Sequence, residues 1–235
     1  MEQDMNKHVN NIFTSIAKKY DLINTILTLN IDRIWRKKSV ALCRLKKNDK
    51  ILDLCCGTGQ MCLSLFYTHV PDISVTGLDF NDEMLKVARK NIDPLSDSCG
   101  IAFIQGDILA IPFPDEEFDV VTIAFGIRNI AEKEMAIAEM LRVLKPGGRV
   151  ICLELSKPDM YIFRSIYSLY FDHVLPLIGY AISRDKAAYC YLRDSINHFL
   201  SKPQLMVLMN DSGLVNTGYV SLSGGIASIH YGCKP

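Results

Sequence analysis

From Lys50 onward the chain alternates short apolar runs with longer amphipathic stretches, and few folds accommodate that rhythm. Ile51–Cys55, Ile73–Leu78, Ile101–Gln105, Val120–Ala124 and Val150–Leu153 have the length and character of buried strands. Between them, Gln60–Tyr67, Asp82–Lys90 and Ala131–Leu144 carry helical spacing. Strands separated by helices pair in parallel through right-handed crossovers, because a tight turn cannot return the chain to the same end of a sheet. The predicted fold class is therefore α/β, an open, mostly parallel sheet with helices on both faces.

The rhythm breaks in the last third. Residues 158–199 have an excess of aromatic and aliphatic side chains, and Pro203–Asp211 reads as a helix. Leu214–Leu222 and Ile226–Cys233 are strand candidates separated only by Ser223, Gly224 and Gly225, a spacing that predicts a terminal antiparallel hairpin. With neither internal repeat nor low-complexity linker, residues 1–235 are read as one domain. Residues 1–45 form an N-terminal helical lid in this reading, and 158–199 an apolar helical insertion near the substrate pocket. A chain of 235 residues can bury a sizeable core as one unit.

Charge narrows the partners. Lys and Arg total 26, as do Asp and Glu, so no basic field favours a nucleic acid. Among the eight cysteines no two form a C-x-x-C pair, so no metal site is expected, and thiols inside strand-like runs act as small hydrophobes. The polar stretch Met1–Asn11 lacks the apolar core of a signal peptide, which makes the cytoplasm the expected location.

The strand Ile51–Cys55 runs into Gly57-Thr58-Gly59 and then a helix. Gly57 and Gly59 allow backbone conformations and close approach that side chains forbid, and ligands of open α/β sheets bind beyond the carboxyl ends of the strands. A dinucleotide fingerprint needs a third glycine three residues on, and Cys62 stands there. Asp53 suits a cationic amino-acid moiety better than a pyrophosphate. Asp79 ends the second strand, where it can accept ribose hydroxyls, and Asp107 follows the third, where it can accept from an adenine amino group. Three carboxylates at three successive strand ends say more than one glycine turn.

Several segments resemble the ubiquinone/menaquinone C-methyltransferase family: Tyr20-Asp-Leu-Ile-Asn24, Trp35-Arg36, Leu52-Asp-Leu-Cys-Cys-Gly-Thr-Gly59, Gly77-Leu-Asp-Phe80 and Phe125-Gly-Ile-Arg-Asn129. The likeness continues through Arg142-Val-Leu-Lys-Pro-Gly-Gly148, Leu153-Glu-Leu-Ser-Lys-Pro158, Tyr189-Cys-Tyr-Leu192 and Gly225-Ile226 with His230, so it spans nearly the whole chain. The resemblance implies a class I, Rossmann-like fold, S-adenosyl-L-methionine as methyl donor, and a prenylated quinol as acceptor. It implies donor contacts at Thr58, Asp79, Asp107 and Ile108. Two positions depart from the family pattern: Gln60 replaces an acidic residue, and Ala124 stands where serine is common.

Methyl transfer from a sulfonium requires alignment more than activation of the donor. A ring carbon, by contrast, is a poor nucleophile until a neighbouring hydroxyl loses its proton, and the phenolate then needs stabilising. Arg128, always protonated, is assigned to that task or to holding a proton-accepting water, and Asn129 to orienting the ring oxygen. Tyr20 is expected to close the pocket from the lid. The competing structural reading has Arg128 capping a loop by pairing with Glu154 or Asp107. A lone His230 on a terminal strand is read as structural. Residues 161–182 are apolar but interrupted by Arg164, Asp172, His173 and Pro176, which argues against a membrane span. Peripheral membrane contact, a lipid-like tunnel and a homodimer interface all stay open for this segment.

The family resemblance implies demethylmenaquinol as the acceptor. The benzoquinol precursor of ubiquinone and a non-catalytic donor-binding subunit are the alternatives.

Overall fold

The computed structural model describes residues 11–92, 100–158 and 186–235, with the side chains of 18 and 186–190 left aside. The apolar segment 161–182 and the first ten residues lie outside the described residues. Seven strands form one sheet: β1 (Lys50–Leu54), β2 (Ser74–Asp79), β3 (Ile101–Gln105), β4 (Phe118–Ala124), β5 (Leu144–Leu155), β6 (Val215–Leu222) and β7 (Ala227–Cys233). Their order is β3-β2-β1-β4-β5-β7-β6. The first five pair in parallel, whereas β7 runs antiparallel to both β5 and β6. The expected terminal hairpin is present, turned by Ser223–Gly225.

Helices α1 (Tyr20–Leu27) and α2 (Asp32–Cys43) precede the sheet, and residues 11–16 are also helical. The remaining helices are α3 (Gln60–Phe66), α4 (Asp82–Ile92), α5 (Lys133–Val143), α6 (Lys186–His198) and α7 (Lys202–Asp211). Local sequence explains their ends. In α4, Met84, Leu85, Ala88 and Ile92 face inward at helical spacing, with Asp82 and Glu83 at the positive end of the dipole and Arg89 and Lys90 at the negative end. The Asn81 side chain caps it by accepting the Met84 N–H at 3.0 Å. Ser201 and Gln204 form a capping box on α7.

The two faces of the sheet carry separate apolar clusters. Leu52, Leu54, Val121, Ile123 and Cys152 pack toward α5 and α7, whereas Ile51, Val75, Val120 and Ile151 pack toward α2 and α3. A central strand buried on both sides reads as a continuous apolar run, which is why β1 was legible. The longest strand was not. The sequence predicts Val150–Leu153, but β5 begins at Leu144, and its register with β4 jumps from Phe118↔Leu144 to Val120↔Arg149. Lys145-Pro-Gly-Gly148 forms the irregularity, and its proline and glycines mask the strand that flanks it.

Cys43, Cys56, Cys62 and Cys152 are buried free thiols. Burial pushes Cys43 up to about 12, so it behaves as a small hydrophobe.

His230 on β7 is buried, and its Nε2 donates to the Lys202 carbonyl at 2.9 Å, leaving Nδ1 without a partner. Burial lowers this imidazole from its ordinary 6.5 to about 4. A depressed folded-state value means the unfolded chain takes up the proton first, so stability present above pH 6.5 is lost as the pH falls towards 4. The loss is about 3 kcal/mol. The difference between urea midpoints at pH 7.5 and 4.5 should therefore shrink in His230→Gln. An unchanged difference would refute this account.

Candidate active site

A cleft of about 950 Å³ opens beyond the carboxyl ends of β1, β2 and β4, at the point where the strand order reverses. Gly57, Asp79, Asp107, Ile108, Asn129 and Tyr20, all singled out from the sequence, line it. The glycine turn is built as its composition requires: Gly57 has φ +54° and Gly59 φ +81°, both in the left-handed region. A side chain at Gly59 would also meet the Phe103 ring at 3.0 Å.

Asp79 organises the floor of the cleft. One carboxylate oxygen accepts the Gly57 N–H and the other the Asn81 N–H, each at 2.8 Å. Burial raises its protonation equilibrium, and these backbone bonds oppose the rise. Asp107 is more open; its carboxylate accepts the Leu109 N–H at 2.9 Å.

Two of the expected donor contacts face elsewhere. Asp53 is fully buried, and its oxygens accept from the Thr122 hydroxyl at 2.7 Å and the Cys62 thiol at 3.3 Å. Desolvation raises it to about 7. It sits mid-sheet, in register with Thr122 on β4, and does not line the cleft. Thr58 is also buried, and its hydroxyl donates to Asp21 at 2.5 Å.

Asp21 is a residue the sequence reading passed over, although it lies within the quoted Tyr20–Asn24 stretch. Its carboxylate accepts from Thr58, from Gln60 Nε2 at 3.0 Å and from Asn91 Nδ2 at 3.2 Å. A second tie joins the Asn81 amide to the Thr14 hydroxyl at 2.8 Å. The amide of Gln60, one of the two departures from the family pattern, thus gives Asp21 a donor. Through these bonds the N-terminal helices are fastened to the glycine turn and to the end of β2. Tyr20, next to Asp21, is thereby held over the cleft.

Beyond β4, Ile127–Asn129 form a single 3-10 turn. Asn129 borders the cleft and its Oδ1 accepts the Tyr191 hydroxyl at 2.9 Å. Arg128 points away from that cleft into a neighbouring cavity, which Tyr20 also lines. Its Nη1 donates to Glu154 Oε1 at 2.7 Å and to the Phe125 carbonyl at 2.6 Å, and its backbone N–H donates to Glu154 Oε2 at 3.2 Å. The pairing with Glu154, weighed as the structural alternative, is therefore present, whereas no bond joins Arg128 to Asp107 among the described residues. Burial opposes the Arg128 charge, but Glu154, Tyr20 and Tyr191 together offset it and hold the proton above its ordinary value. Tyr20 is raised by burial, with Arg128 opposing, so its hydroxyl is a neutral donor at physiological pH.

Trp35 and Arg36 serve this loop from behind. Trp35 Nε1 donates to Ser223 at 2.9 Å, and Arg36, paired with Asp32, stacks its guanidinium 5.2 Å from the centre of the Phe125 ring. Phe125 (φ +60°) and Cys55 (φ +51°) turn the chain sharply at the ends of β4 and β1. The two turns touch: a Cβ added to Gly126 would fall 2.6 Å from that of Cys55.

A cleft at the switch point of a β3-β2-β1-β4-β5-β7-β6 sheet, with carboxylates after β2 and β3, defines an S-adenosylmethionine-dependent class I methyltransferase. Solved structures share the fold. A methyltransferase from Thermotoga maritima superposes with TM-score 0.65 at 20% identity over 96% of this chain and 99% of its own. A chain from the complex of the Haloferax volcanii Trm112 methyltransferase activator gives 0.67 at 19% identity, over 95% and 97%. The chain belongs to the ubiE/COQ5 methyltransferase family, whose model matches residues 1–234. It is 37% identical over 228 residues, 97% of its length and 93% of theirs, to the demethylmenaquinone methyltransferases of Staphylococcus aureus strains JH9 and Newman.

The cleft fits the donor. Gly57 offers open backbone, Asp79 and Asp107 offer acceptors, and Met84 and Ile108 give apolar flanks between them. No described helix is long and apolar enough to cross a membrane.

Proposed function

We propose that this enzyme methylates a ring carbon of a prenylated quinol, with demethylmenaquinol as acceptor. The observation that carries the reading is the junction at Tyr20, where the donor cleft meets a cavity bordered by a buried, charged arginine. The names of the relatives, aligned over nearly the whole chain, support the same acceptor.

Bound in the cleft, S-adenosylmethionine supplies a methyl group on a positively charged sulfur, already activated for in-line transfer. The chain must hold the acceptor ring and make one of its carbons nucleophilic. Asp79 and Asp107 serve the donor's ribose and adenine, with the Gly57 and Ile108 backbone close by. Thr58 and Asp53 act from behind the turn, by fixing its shape.

On the acceptor side, loss of a hydroxyl proton pushes electron density onto the ring, and the adjacent carbon forms the new bond. The Arg128 guanidinium stabilises the phenolate, and its own charge is held in place by Glu154. Tyr20 donates to the same oxygen. Asn129, with its carbonyl engaged by Tyr191, keeps its amide N–H groups for the ring oxygen or a water that takes the proton. Loss of the ring proton at the methylated carbon then restores aromaticity.

The test is incubation with methyl-labelled donor and chemically reduced demethylmenaquinone, beside the benzoquinol precursor of ubiquinone, with products identified by mass. Label in the naphthoquinol is the expected result. Donor binding with no label in either acceptor overturns the proposal.

A further inference from the structure

Beside the donor cleft lies a second cavity of about 490 Å³. Ile16, Ile23 and Leu27 from the N-terminal helices and Leu192 from α6 give it an aliphatic lining. These residues form an apolar cluster of their own, apart from the two that flank the sheet. Folded interiors leave few voids larger than a water, because lining atoms facing a void lose their contacts. A void with this lining, adjoining the donor cleft, is therefore a place for an apolar part of a ligand.

Among the described residues, its polar lining consists of Tyr20, Asn24, Arg128 and Tyr191. Arg128 interacts electrostatically with both tyrosines, so these groups form one neighbourhood, and its charge is neutralised by Glu154. Phe13 and Tyr20 line both cavities, their rings edge to face with centroids 5.9 Å apart. The two spaces therefore adjoin at Tyr20. Such a mixed lining suits a molecule that carries both a polar ring and a hydrocarbon chain.

We infer that the second cavity receives the first isoprenoid units of the acceptor's tail, an inference that rests on the proposed quinol methylation. The acceptor ring must lie where donor cleft, Asn129 and Tyr20 converge, and the tail must leave from there. The donor cleft offers it an acidic route, past Asp79, Asp107 and Glu132. The second cavity shares that tyrosine and adds the aliphatic side chains of Ile16, Ile23, Leu27 and Leu192. Ile23 on α1 and Leu192 on α6, both in the cavity's lining, then set the preference for a tailed acceptor.

The experiment uses the full chain with its donor and two acceptors, reduced 1,4-naphthoquinone without a tail and the same ring bearing a geranyl group. The wild type is expected to favour the geranylated ring in kcat/KM by at least about tenfold. Ile23→Phe and Leu192→Phe, which add bulk to the cavity's lining from two different helices, should each remove most of that preference through KM. Turnover of the tail-less ring and the donor Kd should stay within about twofold. Equal use of both acceptors by the wild type overturns the inference, whether or not the variants fold. So does a folded variant that slows both acceptors in parallel or neither. Donor binding by the wild type without methylation of either ring would instead overturn the proposed function, and this inference with it.

Discussion

Replacing Arg128 with alanine should lower kcat by about a hundredfold to a thousandfold while donor affinity stays within threefold. The guanidinium is almost wholly buried, it is the positive group of the second cavity's lining, and nothing else described there can stabilise a phenolate as well. The same substitution strips a fully buried carboxylate of its partner. Breaking such a pair typically costs 3–5 kcal/mol, and here the cost should fall near roughly 3 kcal/mol. The Arg128 and Leu155 N–H groups would still donate to Glu154. Pairing and catalysis can therefore be separated with Arg128→Met combined with Glu154→Gln, which leaves no orphaned charge. The double variant should melt close to wild type and remain inactive on the quinol. If either variant keeps kcat within fivefold of wild type, Arg128 is structural only.

Asp79→Ala should weaken binding of S-adenosylmethionine and of its demethylated product by about a hundredfold or more. Hydrogen bonds to a charged acceptor contribute about 1.5–3 kcal/mol each, and two ribose hydroxyls would lose theirs. The variant also leaves the Gly57 and Asn81 N–H groups without their acceptor, so the turn itself loosens. Asp107→Ala, with a side chain more open to water, should weaken binding by about tenfold. Calorimetric titration of the folded variants decides between these values. An Asp79→Ala affinity within threefold of wild type would remove Asp79 from the donor site.

Much of this was legible in the chain. The parallel sheet followed from apolar runs alternating with helical spacing, the hairpin from the Ser223–Gly225 gap, and the place of the cleft from Gly57, Asp79 and Asp107, which line it. What sequence hid was the direction of individual side chains. Asp53 reads as a strand-end carboxylate facing the cleft, but alternation along β1 sends its side chain between Thr122 and Cys62. Arg128 and Asn129 are neighbours in sequence, yet a 3-10 turn has three residues per revolution and sends successive side chains far apart, hence into two cavities. Asp21 and Tyr191 were missed for a different reason. Both act on residues distant in the chain, and neither stands beside a glycine turn or a strand end that would have marked it.

The contact between Gly126 and Cys55 has a consequence for evolution and for engineering. Because the two turns meet at this contact, the stretch of cleft wall they share cannot be retuned by trading side chains at position 126. Redesign of the cleft must therefore proceed elsewhere on its lining, for instance at Phe13 and Tyr20 of the N-terminal segment, where side chains can be exchanged without moving that contact.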